Sequence, residues 1–196
     1  MLREATISLH LDLFRYWDAK RTGRRMPSRA DIDPTEMPAA LLPYVTIIDQ
    51  VDGRFRYRLV GTGVVNALGR DFTDGWVGSY ATSPEYAAAV LGVYARVFAA
   101  ACPLFTTGEH RTDIGVIQSN SRLLLPLSND GVTVNMVIFS RVARFNRNLG
   151  AGLDWFKGSP GKICSAVDVG TAEEIERHSL DWERHHLPGD PIAFSA

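Results

Sequence analysis

From residue 5 to residue 21 apolar side chains recur at Ile7, Leu11 and Phe14 and, one step round, at Leu9, Leu13, Tyr16 and Trp17. Both series have helical spacing, so the segment predicts a helix with a wide apolar face. Such a face has to be covered, by the protein's own sheet or by a second copy of the chain. A different pattern starts at residue 44. Residues 44–49 and 55–60 are β-branched and aromatic runs, and in the second Phe55, Tyr57 and Leu59 alternate with Arg54, Arg56 and Arg58. That period of two predicts a strand with one buried and one wet face. Asp52-Gly53 lies between the runs and suits a type I′ turn, whose central residues both take positive φ, so the two runs predict a hairpin.

Helical spacing returns after Ser83-Pro84-Glu85, with Tyr86, Val90, Val93, Val97 and Ala101 on one side and many alanines that allow close approach to a sheet. Pro103 ends this helix. Strands are predicted at 104–109, 115–127 and 132–141, the last two joined through Asn129-Asp130-Gly131. Together these elements predict an α+β fold with a five-stranded antiparallel sheet. Val134, Met136 and Ile138 line one face of the last strand, while Val137 and Phe139 make the other face apolar too, so the first helix is the expected cover for the sheet's outer face.

Smaller elements fill the gaps. Asp33-Pro34-Thr35-Glu36 reads as N-cap, proline at the first helical position and capping-box glutamate, and Pro38 and Pro43 keep that helix short. Residues 61–69 open a helical turn, and 70–80 form a loop bearing Phe72, Trp76 and Tyr80. After Phe145 the pattern breaks up into Gly-, Asn- and Pro-rich chain. Thr171-Ala172-Glu173-Glu174, a second capping box, then starts a final helix to about residue 186. The division expected is a sheet-based domain with its N-terminal cap helix over 1–145 and a C-terminal extension with one helix over 146–196.

Composition narrows the function. With 196 residues, 45% of them hydrophobic, the chain has material for one well-buried core. Lys+Arg 21 against Asp+Glu 22 leaves a net charge of -1, so no global field draws it to nucleic acid or anionic lipid. His10, Asp12, Arg15 and Asp18 interrupt the first helix, which lacks the apolar run of a signal peptide or membrane span; a cytoplasmic protein without membrane contact is expected. Cys102 and Cys164 have no C-x-x-C spacing and read as ordinary thiols.

Few constellations carry chemistry. Gly61-Thr62-Gly63 stands between a strand and a helix, but Asn66 occupies the third glycine position of a dinucleotide fingerprint, and a tight turn is the simpler reading. Lys20, Arg21, Arg24, Arg25 and Arg29 cluster without interleaved aromatics and beside Asp31 and Asp33, as a solvated connector would. Glu174, His178, Asp181 and His185 share one stripe of the last helix, but a straight helix spreads them over about 16 Å, so only adjacent pairs could share a metal ion. No serine lies in a G-x-S-x-G elbow and neither cysteine has a nucleophile signature, so no enzymatic activity is expected. The aromatic residues Tyr57, Phe72, Trp76, Tyr80, Tyr94 and Phe98, with Met136, are the candidates for enclosing a small ligand.

The stretch Gly23-Arg24-Arg25-Met26-Pro27-Ser28-Arg29-Ala30-Asp31-Ile32-Asp33-Pro34 resembles a bacterial PAS-like family. So do Leu41-Leu42-Pro43-Tyr44, Phe55-Arg56-Tyr57-Arg58-Leu59-Val60-Gly61-Thr62, Gly69-Arg70-Asp71 and Leu123-Leu124-Leu125-Pro126-Leu127-Ser128. The likeness covers roughly residues 14–142. It implies strand order 2-1-5-4-3, a sheet cupped by short helices, and a role in signal perception or partner regulation. PAS-like proteins bind haem, flavin, small carboxylates or nothing, so the resemblance leaves the cofactor unknown. The Asn-Cys-Arg-Phe string of light-sensing flavin members is missing, and His110, the only histidine of the core region, falls at a strand end unsuited to haem. The resulting expectation is a sensory or regulatory module that relays a signal from sheet to first helix. It would act as a homodimer or with a signalling protein partner through Leu9, Leu13, Tyr16 and Trp17. The alternatives are a ligand-free interaction scaffold and, on the His178 stripe, a metal-dependent enzyme.

Overall fold

The computed structural model describes residues 2–81, 83–111, 117–145 and 161–185. The hairpin forms where the sequence places it: β1 (Val45–Val51) and β2 (Arg54–Val60) pair antiparallel across Asp52 (φ 49°) and Gly53 (φ 76°), the two positive φ values of the expected turn. Further along come β3 (Leu104–Arg111), β4 (Ile117–Leu127), β5 (Met136–Phe145) and β6 (Gly161–Asp168). They form one six-stranded antiparallel sheet in the order β2-β1-β5-β4-β3-β6.

The expected 2-1-5-4-3 order is present, with two differences. β6 extends the sheet from a stretch that the sequence reads as patternless extension; as an edge strand it keeps Lys162, Cys164 and Asp168 exposed, so no continuous apolar run announces it. β5 starts four residues later than the pattern suggests. The Asp130 carboxylate accepts from the Val132 and Thr133 amides at 2.8 and 2.7 Å and from the Ser128 hydroxyl at 2.7 Å, which holds the preceding residues in a turn.

Helices cover both faces. On the inner face, α3 (Pro84–Ala100) is capped by Ser83, whose Oγ accepts from the Tyr86 amide at 3.2 Å, and it buries Val90, Val93, Tyr94 and Val97 against the sheet. Tyr94 meets Phe55 and Phe139 with ring centroids 5.9 and 6.0 Å apart. Before it in the chain, α2 (Thr62–Leu68) begins at Gly61, where a Cβ would lie 2.3 Å from the Pro43 carbonyl oxygen. The glycine therefore serves close backbone packing, and nothing about Gly61-Thr62-Gly63 requires a phosphate.

On the outer face lies α1 (Leu2–Arg21), with Leu13 and Trp17 fully buried and the Trp17 indole donating to the Pro126 carbonyl at 2.8 Å. A last helix, α4 (Ala172–His185), packs beside α1 on the same face and buries Ile175. From Leu9 to Trp17 the apolar face of α1 is thus covered, wholly or in part, within the chain by sheet and α4 together.

Candidate functional site

Between the sheet's inner face, α2, α3 and the loop after α2 lies a cavity of about 50 Å³. On a scale where one water needs about 10–15 Å³, that is room for a few waters or a small organic molecule. Leu68, Phe72 and Val90 give it apolar walls, Tyr57, Tyr80 and Tyr86 line it as well, and Arg122 and Arg141 enter it from β4 and β5.

The arginines are its unusual feature. Arg122 and Arg141 are direct cross-strand partners in the β4–β5 register, so two like charges rise from the same face of the sheet on adjacent strands. Arg122 is buried, and its Nε donates to the Thr106 hydroxyl at 3.2 Å. The Arg141 Nε is buried with no hydrogen-bond partner. Burial, and then the Arg122 charge, pull the Arg141 guanidinium below the usual arginine range; Tyr86, Tyr57 and Tyr94 act the other way, and among the described residues no carboxylate joins them. Burial pushes the Tyr57 and Tyr94 hydroxyls up, so both stay neutral and neither can serve as counter-ion.

Directly behind the pair, on the outer face, sits His10 of α1. One ring nitrogen, Nδ1, lies 2.7 Å from Ser140 Oγ and the other, Nε2, 2.9 Å from Ser121 Oγ. Ser121 precedes Arg122 and Ser140 precedes Arg141, and strand alternation turns each serine outward where its neighbour turns inward. Burial depresses the His10 pKa from 6.5 to about 3, so the ring is neutral at ordinary pH. The neutral ring bonds one hydroxyl as donor and the other as acceptor. The edge of the ring also meets Phe105, with centroids 5.5 Å apart.

A family model described as a PAS domain matches residues 6–138. This chain belongs to the PAS domain family. No curated protein and no solved structure matches it. PAS domains are generally non-catalytic sensory and regulatory modules, and the antiparallel sheet with flanking helices agrees with that fold. No helix among the described residues is long and apolar enough to cross a membrane.

Within the PAS domain the residues singled out from sequence divide. Tyr57, Phe72 and Tyr80 line the cavity, with Phe72 meeting Tyr57 and Tyr80 at centroid distances of 5.8 and 4.7 Å. Tyr94 is in the solid core under α3, and Phe98 lies against Phe55 at 4.9 Å. Trp76 forms an isolated bridge with Arg56 and carries the Arg54 guanidinium 4.0 Å above its ring. Met136 pairs with Asp49 and Leu127, on the α1 side of the sheet, away from the cavity.

Of the partner candidates, Leu13 and Trp17 are consumed by the protein's own core, Leu9 is half-buried against it, and the Tyr16 hydroxyl takes the Asp33 amide at 2.7 Å. On α4, Glu174 accepts from the Gly170 and Thr171 amides, His178 stacks on Phe105 at 6.0 Å, and Asp181 lies 3.5 Å from Arg184. The described residues hold no group of three metal-ligating side chains. The side chains of His110 and His185 lie outside the described residues.

Sequence reasoning passed over Arg122, Arg141 and the place of Tyr86 in the cavity wall, and noted His10 only as a polar interruption. A signal existed: Arg122 shares strand parity with buried Leu124, and Arg141 with buried Phe139, so both arginines had to point into the core.

Proposed function

We propose that this PAS domain is a sensor whose small ligand occupies the cavity and whose output leaves through α1. The observation that carries this reading is the back-to-back placement of two clusters on the same two strands. Arg122 and Arg141 face the cavity, while Ser121 and Ser140, one residue earlier on each strand, hold His10 of α1. A ligand that draws the two guanidiniums together changes the twist or spacing of β4 and β5 at this point, and the His10 bridge reports that change to α1. The ligand shifts the population only by as much as it prefers one arrangement over the other. From α1 the signal passes to a second copy of the chain or to a signalling protein.

Native mass spectrometry of the freshly purified protein is expected to show a retained small molecule, lost when Ala81, which also lines the cavity, is enlarged by Ala81→Leu. Hydrogen exchange in α1 is expected to differ between the two forms. An empty spectrum together with no thermal shift across a metabolite panel would favour a ligand-free interaction scaffold. Light scattering at micromolar concentration tests whether a second copy is the partner; a monomer under all conditions would leave a different protein in that role.

A further inference from the structure

The cavity's chemistry identifies the class of molecule it takes. Two arginines directly opposite on neighbouring strands have Cβ atoms about 4.5–5.5 Å apart, a spacing at which like charges repel. Burial aggravates this, since a charge removed from water is costly unless paired. Several other arginines are ion-paired: Arg56 and Arg58 both reach Asp49, and Arg96 reaches Asp168. Neither Arg122 nor Arg141 has an ion pair of this kind among the described residues, and the Arg141 Nε has no partner at all. Each guanidinium offers five N–H donors in a planar fork that matches a carboxylate.

We propose that Arg122 and Arg141 are the receptor for a small organic carboxylate, held between the two forks with its short carbon chain against Leu68, Phe72 and Val90. This rests on the reading that the cavity is the sensory site. The volume of about 50 Å³ limits the body to a few carbon atoms. The apolar wall argues against inorganic phosphate, because oxygens pointing away from the arginines would meet Leu68, Phe72 and Val90 instead of donors.

The test uses the full-length protein at constant ionic strength, with acetate, propionate and butyrate as probes, propionamide as the neutral isostere, and phosphate as the tetrahedral anion. Calorimetry and thermal unfolding are expected to show saturable binding and stabilisation by at least one monocarboxylate and none by propionamide. Arg141→Gln is expected to weaken that binding roughly tenfold or more, the worth of a charge-assisted hydrogen bond. Arg58→Gln, on the opposite face, is expected to leave it unchanged. If Arg141→Gln does not fold, Arg141→Lys keeps the charge and loses the fork, and should still weaken binding. Equal response to propionamide, unaltered affinity in both Arg141 variants, or a response to phosphate alone would overturn the proposal. Carboxylate binding with unchanged hydrogen exchange in α1 would keep this site and remove the relay. A neutral molecule retained with the relay intact would do the reverse.

Discussion

β4 and β5 carry two polar clusters back to back, built on opposite rules. On the outer face, His10, Ser121 and Ser140 are neutral and mutually hydrogen-bonded, and both ring nitrogens have partners. On the inner face, Arg122 and Arg141 are two adjacent guanidiniums with no carboxylate paired to them among the described residues and one orphaned Nε. A completed buried network stabilises and fixes geometry, whereas an incomplete one costs free energy in the empty protein. The outer cluster is therefore a completed network that fixes α1 on the sheet, whereas the inner one leaves buried positive charge uncompensated by any carboxylate of the described residues.

The largest effect is expected from breaking the completed side. His10→Ala removes a fully buried ring and strands two hydroxyls, and should lower the unfolding free energy by about 2–4 kcal/mol in chemical denaturation. Acid should act through the same residue. Its folded pKa of about 3 lies below the ordinary 6.5, so the unfolded chain binds the proton first and stability falls as pH drops from about 6.5 toward 3. The His10 contribution to that slope is about 1.4 kcal/mol per pH unit, and it should be missing in His10→Gln.

The incomplete side should respond with the opposite sign. Arg141→Met removes a repelled, partly unsatisfied charge and keeps much of the volume, so the ligand-free protein should gain about 1–2 kcal/mol. A loss of similar size would mean that Arg141 has a partner already and would break the contrast. The smallest change calibrates the others: Ser83→Ala removes the cap of α3 on the inner side without touching either cluster, and should cost about 1 kcal/mol.

Local signals carried much of the fold into the sequence. Asp52-Gly53 announces its hairpin because positive φ at both positions is a property of the turn itself. The α3 cap and its apolar series are equally local. β6 escaped because an edge strand beside β3 needs little apolar surface, and the sequence left open what covers α1 because α4, which packs beside it, lies far along the chain. The site was less legible. Arg122 and Arg141 meet only through the β4–β5 register, and His10 reaches Ser121 and Ser140 across 111 and 130 residues. Tertiary pairing of this kind leaves a parity clue in each strand and no motif.

A double-mutant cycle between His10→Ala and Arg141→Met, read in unfolding free energy, measures whether the two faces act as one unit. Coupling of about 0.5–3 kcal/mol is predicted, since the bridge and the guanidinium are separated by a single residue step on a shared strand. Effects that add to within about 0.3 kcal/mol would show the faces to be independent, and the relay from cavity to α1 would fail.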